Sequence, residues 1–452
     1  MGALRRLPLE GAIRIAIPAT VVAVALGSNW SPSVRRVAQP LWHLCLGALF
    51  VLAVAYALGH AGPRRLWERA SAPAYALTAL LLALAATSAL WSGDPRLTIE
   101  RAVSFALVVV TGAALGLAAA AEEDVVERLL LSVLAGGVGV ALIGLAVLVA
   151  SPHDALQAAT KTIPSRYRGI GQNPNTVAML FAAAIPLATW LVLRPRRRLL
   201  GLAALLLLGG SIAGSGSRGA LVAALGGALV VLLAGMRTRR DRVLAAAAAL
   251  AAFGVGVGIT QIPQPDPHAT LAAGVACVDC THRPNDADAI RRLDDELDQP
   301  PGADPGERRT FFASTGRTQA WRGAIDQARE RPLVGYGFGT ESDVFVDRYY
   351  SFFGGTPENS YIGMFLQLGL VGLALLVALA LALLWAAVAA LRLLRGRPRE
   401  AAAACAAVVA AGLGLALVQS YVYAVGNDAT LTVWLCAFLG LALVPRPAAR
   451  AG

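Results

Sequence analysis

The chain has 452 residues, 57% of them hydrophobic and only 15% charged, with a mean hydropathy of +0.61. A water-soluble protein of this size needs more charge to cover its surface, so a soluble globular enzyme is excluded. The formal charge of +11 sits almost wholly on arginines in short connections between apolar runs, where topology signals lie, and gives no reason to expect nucleic acid as a partner.

Runs of about 18 to 23 apolar residues, long enough for a helix to cross the hydrocarbon core, recur along the chain. They predict an all-α polytopic membrane protein of about twelve transmembrane helices. The first nine fall near 12–27, 38–59, 73–91, 103–121, 129–150, 176–193, 199–213, 219–235 and 243–260. The last three fall near 361–390, 401–424 and 429–445. The first run carries Arg14 and no small-residue cleavage site, so it reads as a retained span. The chain thus divides into an N-terminal bundle (1–260), one long polar loop (261–360) and a C-terminal bundle (361–452).

Orientation follows from the basic residues. With the N-terminus inside, twenty arginines fall in inner segments and eight basic residues in short outer connections. That bias places both termini in the cytoplasm and the long loop outside a cytoplasmic membrane. Within the loop, 262–314 is rich in Pro, Asp and Arg and reads as a mobile flap with a short helix near 286–297. Cys277 and Cys280 lie in it, and a disulfide between them is compatible with an external loop. Residues 315–331 read as an amphipathic helix. Ala320, Trp321, Ala324, Ile325 and Ala328 share a face, Arg322 is spaced to pair with Asp326, and Pro332 stops the helix.

Few residues carry chemistry. Arg317 lies four residues before Trp321 and so on the apolar face, where an arginine either snorkels or meets an anion. Arg218 lies in GSGSRGA at the outer end of the eighth span. The helix N-terminus there, the backbone that glycine exposes and the hydroxyl of Ser217 make a phosphate cradle. A tight turn anchored at the headgroups accounts for the same residues. The stretch SRYRGIGQNPNTVAML precedes the sixth span; Asn173 caps it, Pro174 starts it, and Arg166, Arg168 and Asn175 flank the same outer mouth.

Glu358 and Asn359 open the tenth span, followed by Tyr361. A carboxylate there complements the helix dipole, and it could also take a proton from an attacking hydroxyl. Asp286 and Asp288 form a DxD in acidic low-complexity sequence. The five histidines show no paired spacing, and no phosphate-binding Walker loop, GxSxG or HExxH occurs. No metal and no cofactor is expected.

In order, SALWSGDPRLTIERA, GIGQNPNTVAMLFAAAIP, GSGSRGALVAAL, TGRTQAWRGAIDQARERPLVGYGFGTES and ENSYIGMFLQLGLVGLALL resemble the O-antigen ligase and O-antigen polymerase family of membrane glycosyltransferases. The resemblance covers most of the chain. It implies metal-independent transfer of a glycan from an undecaprenyl-pyrophosphate donor to an acceptor hydroxyl on the outer face of the membrane. The acceptor would be a lipid (as in lipopolysaccharide), a protein or a wall polysaccharide. The family's pyrophosphate-binding arginines match Arg218 and Arg317. Its usual His-Asn pair is Glu358-Asn359 here, so the role of base passes to Glu358 as an expectation only. A polymerase joining lipid-linked repeats shares this architecture. A lipid-linked oligosaccharide transporter would instead show broken helices and polar residues at mid-membrane. A scaffold would not need arginines on apolar faces at two sites.

Overall fold

The computed structural model describes residues 6–70, 72–120, 122–158, 165–235, 238–260, 316–346 and 355–445. The flap expected at 262–314, with Cys277, Cys280, Asp286 and Asp288, lies outside them. The first ten helices are α1 (Arg6–Gly27), α2 (Pro32–Ala70), α3 (Pro73–Thr87), α4 (Pro95–Ala119), α5 (Glu123–Ala150), α6 (Pro152–Ala155), α7 (Pro174–Val192), α8 (Arg198–Ser215), α9 (Arg218–Gly235) and α10 (Arg239–Thr260). They are followed by α11 (Arg317–Ala328), α12 (Glu341–Val344), α13 (Ser360–Leu393), α14 (Gly396–Leu415) and α15 (Asp428–Ala442). A two-stranded antiparallel ribbon, β1 (Leu156–Gln157) with β2 (Arg166–Tyr167), is the one sheet among the described residues.

Ten of the described helices are long and apolar enough to cross a membrane. The protein is therefore an all-α polytopic membrane protein. Of the other two expected spans, one corresponds to α10, and the other to α15, a shorter apolar helix of 15 residues.

Local chemistry sets several boundaries. Pro174 occupies the first position of α7, and the Asn173 side chain accepts from the backbone N–H groups of Asn175 and Thr176, completing a capping box. Asp94 caps α4 through the Leu97 N–H at 2.9 Å. The bundle is built around α7, in which every residue from Val177 to Val192 is buried. Helices α8, α9, α14 and α15 pack around it, and Gly227 of α9 lets that helix close on Pro186. Helices α1, α2, α4 and α5 form an adjoining layer, joined by α4 against α15 and α1 against α5.

Two expected spans are corrected. The run 361–390 is not one helix, because Gly369 has φ 63° and ψ −162° and breaks α13 nine residues after its start. The connection PLVGYGFG docks at the break. Tyr336 N–H donates to Leu366 O at 3.1 Å, Gly337 N–H to Gln367 O at 2.8 Å, and Leu370 N–H to Pro332 O at 2.8 Å. Gly335, Gly337 and Gly339 all have positive φ, as such close backbone approach requires. Trp91 of the WSGD segment donates from Nε1 to Val334 O at 3.0 Å and so holds the same connection.

The second correction concerns 401–424. The helix ends at Leu415, and residues 416–427 form an irregular connection before α15. Its backbone is satisfied from the side: Ser360 Oγ donates to Gln419 O and accepts from Tyr421 N–H, and Thr430 Oγ1 donates to Tyr421 O. Non-helical backbone in a membrane protein survives where protein groups replace water in this way.

Candidate functional site

Four helix N-termini, those of α7, α9, α11 and α13, lie at one end of the bundle and are linked by contacts. The first group surrounds the α8–α9 turn. Gly216 ends α8 in the left-handed region, at φ 61°. Arg218 is the first residue of α9, and the Ser217 carbonyl accepts the first helical bond from Leu221 N–H. Arg166, on β2, is buried. Its Nε donates to Ser215 O at 2.6 Å and its Nη2 to Asn175 Oδ1 at 2.7 Å. It therefore pins the start of α7 to the end of α8, beside Arg218.

Arg168 points elsewhere. It lies 3.8 Å over the Trp30 ring and donates to the Asp154 and His153 carbonyls. Burial pushes its guanidinium down to about 10, partly offset by Asp154, so it stays charged at neutral pH. The cation–π contact and the two carbonyls account for its charge without a ligand.

The second group surrounds the start of α11. Arg317 is its first residue, after Gly316 at φ 79°. Arg317 Nε donates to Glu358 Oε2 at 2.7 Å and Nη2 bonds the same oxygen. Both side chains are partly buried, with 20% and 25% exposure. Gln419 Nε2 adds a third donor to that oxygen at 3.3 Å. Trp321 Nε1 donates to Pro357 O at 2.8 Å, so one helix turn grips the segment twice. Helix α11 packs through Ala320, Ala324 and Ala328, which are fully buried, with Gly323 and Gln327. Trp321 and Ile325 thus lie at the edge of the expected face, and Asp326 pairs with Arg329 at 3.0 Å, where Arg322 was expected.

Glu358 is the one described non-glycine residue with positive φ, at 47°. Such a conformation costs on the order of 1 kcal/mol and persists where its surroundings hold it. Asn359 supplies much of that hold. Its Oδ1 caps α13 through Tyr361 and Ile362 N–H, its Nδ2 donates to Leu417 O, and its N–H donates to Ser420 Oγ. Tyr361 OH donates to Leu413 O at 3.1 Å. Both side chains therefore anchor the strained residue to the end of α14.

The two groups meet. A β-carbon on Gly219, next to Arg218, would stand 3.0 Å from Val418 Cγ2, and Val418 adjoins the Gln419 that bonds Glu358. The positive charges of Arg218 and Arg317 act on each other. Like charges brought together in a partly desolvated site repel unless a counter-charge joins them. Glu358 supplies one negative charge here. Among the described residues no three His, Cys, Asp or Glu side chains converge as a metal site would need. The polar groups on offer are guanidinium, amide, hydroxyl and carboxylate.

Beside this cluster lies a carboxylate that the motifs contain but sequence reading passed over. Glu341 opens α12 and is buried. It accepts from Ser420 Oγ at 2.6 Å, Tyr423 OH at 2.6 Å and Gln367 Nε2 at 3.1 Å. Gln367 Oε1 in turn accepts from Gly339 N–H at 2.6 Å. Its only sequence signal is an acid following the GYGFGT glycines, whose partners come from two segments far along the chain.

Burial pushes Glu341 up to about 7 from 4.5, against the hydrogen bonds of Ser420 and Tyr423. A folded-state value above the unfolded one gives stability that is complete below pH 4.5 and is lost as pH rises through about 7. The span corresponds to roughly 3 kcal/mol. Melting temperature in detergent should therefore fall between pH 5 and pH 8.5, and Glu341→Gln should flatten that fall. An unchanged pH dependence in the variant would remove Glu341 as its source.

No curated protein matches the chain. Residues 203–377, which include Arg218, Arg317, Glu341 and Glu358, match the family model described as O-antigen ligase. The match supports a likeness of this part of the chain to the O-antigen ligase family.

Proposed function

We propose that the protein transfers a glycan from an undecaprenyl-pyrophosphate donor to an acceptor hydroxyl at the outer face of the cytoplasmic membrane, without a metal. The observation that carries this reading is the Arg317–Glu358 ion pair within electrostatic reach of Arg218. Two guanidiniums on separate helix N-termini match a diphosphate, each offering a planar fork of donors. The donor's pyrophosphate displaces Glu358 from Arg317 and bridges the two arginines. The acceptor oxygen then attacks the anomeric carbon, and the bond from that carbon to the pyrophosphate oxygen breaks. The electron pair leaves on the pyrophosphate, where Arg218 and Arg317 stabilise it. The hydroxyl proton passes to the Glu358 carboxylate.

Ser217, Arg166 and Asn175 shape the Arg218 side of the site, while Asn359 and Tyr361 keep Glu358 in place. Arg168 contributes by orienting the β2 segment. The ligase reading places the GSGSRG turn and the Arg317 helix on opposite sides of one donor. Polymerisation of lipid-linked repeats would use the same groups with a different acceptor. A transporter reading gains one feature, the broken α13, but the break's Leu366 and Gln367 carbonyls are already taken by Tyr336 and Gly337.

Reconstitution in liposomes with a lipid-linked repeat unit tests the proposal. A single donor–acceptor product, formed only when acceptor is added, is the expected result. Ladders without a second acceptor would identify a polymerase, and no glycosidic product under either condition would defeat both enzyme readings.

A further inference from the structure

The opposite end of the bundle carries a second arginine cluster, and it surrounds a cavity of about 450 Å³. Its walls come from Glu127 near the start of α5, the α7–α8 connection (Arg194, Arg196 and Arg197), and Arg397 and Glu400 in the first turns of α14. That volume falls within the range of small-molecule sites.

Arg194 forms the floor. The residue is 8% exposed, its guanidinium lies 5.3 Å from the Trp190 ring centroid, and its Nη2 donates to Arg397 O at 3.4 Å. Glu400 and Glu127 bracket it at 3.4 and 3.6 Å, and Glu127 also lies 3.9 Å from Arg197. The two carboxylates are thus turned toward Arg194 and Arg197. Among the described residues, Arg196 and Arg397 have no carboxylate within ion-pair distance, although both line the cavity. Four arginines against two glutamates leave the lining with two surplus positive charges.

A plain topology signal accounts for arginines at the end of a span, but such side chains extend into water. It requires neither a cavity nor an arginine sunk beneath its neighbours. The cavity also sits where α5, α7 and α14 reach the end of the bundle.

We propose that this cavity is a phosphate-binding site, held by Arg196, Arg397 and Arg194, for an anionic phospholipid headgroup or a free phosphate. The surplus charge suits a phosphate group, and guanidinium forks suit its oxygens. This site is separate from the glycan-transfer reading and does not depend on it.

The test is thermal unfolding of the full chain in neutral detergent, with added phosphatidylglycerol, phosphatidylcholine or inorganic phosphate at constant ionic strength. Phosphatidylglycerol should raise the melting temperature by on the order of 3 °C while phosphatidylcholine does not. Arg196→Gln combined with Arg397→Gln changes two exposed side chains, so the fold should survive, and the rise should drop by more than half. A rise with phosphatidylglycerol alone supports a headgroup site. A comparable variant-sensitive rise with inorganic phosphate supports a free-phosphate site. No rise with either anion, or equal rises in wild type and the double variant, overturns the proposal.

Discussion

Lysine in place of Arg218 or Arg317 should lower glycan transfer by roughly 100-fold or more, while the protein still reaches the membrane in normal amount. Lysine keeps the charge but loses the planar fork, so the comparison isolates geometry from electrostatics. Arg317→Lys can retain an ion pair with Glu358, which guards against a loss caused by unfolding. Alanine at 317 is a poorer probe, because it leaves a half-buried carboxylate without its cation. The measurement is product formed per molecule of membrane-inserted protein. Wild-type transfer by both lysine variants would mean that the arginines do not recognise a diphosphate through paired hydrogen bonds.

Glu358→Gln should reduce transfer by about two orders of magnitude or more, because the amide cannot accept the hydroxyl proton. The same change should tighten binding of inorganic pyrophosphate, since Arg317 is no longer neutralised by its resting partner. The two readouts separate two roles. Loss of transfer with tighter pyrophosphate binding is the outcome for a base that the donor displaces. Near-normal product would reduce Glu358 to a charge partner at the head of α13. The side chain at 358 also sits at φ 47°, and its carboxylate receives donors from both Arg317 and Gln419. Glutamine retains the means to accept those donors, so protein levels should change little.

Much of this was readable from residue order. Arg317 and Arg218 stood out because a cation on an apolar helix face or at a span's end is costly unless something answers its charge. The start of α7, with Asn173 as its cap and Pro174 as its first residue, followed from those two residues with no knowledge of packing. The break in α13 was not readable. LQLGLVGL is apolar throughout, and hydropathy responds to side chains, whereas the break depends on the backbone of residues 332–337 reaching it. For the same reason the irregular segment 416–427 passed as the end of a span, although Gln419, Ser420 and Tyr423 are the residues that join Glu341 to the site.

Sequence by itself determined the membrane-spanning class of the protein, the order of its helices and which charges stood where apolar residues belong. These follow from local terms, the transfer of side chains from water and the capping of helix ends, that each segment carries alone. Only the tertiary structure decided that Arg317 rests on Glu358, that Gly219 meets Val418 so that two distant arginines interact, and that Glu341 is buried among three donors. Such facts depend on segments far apart in the chain entering one low-dielectric region, where a charge is tolerable only beside its partner.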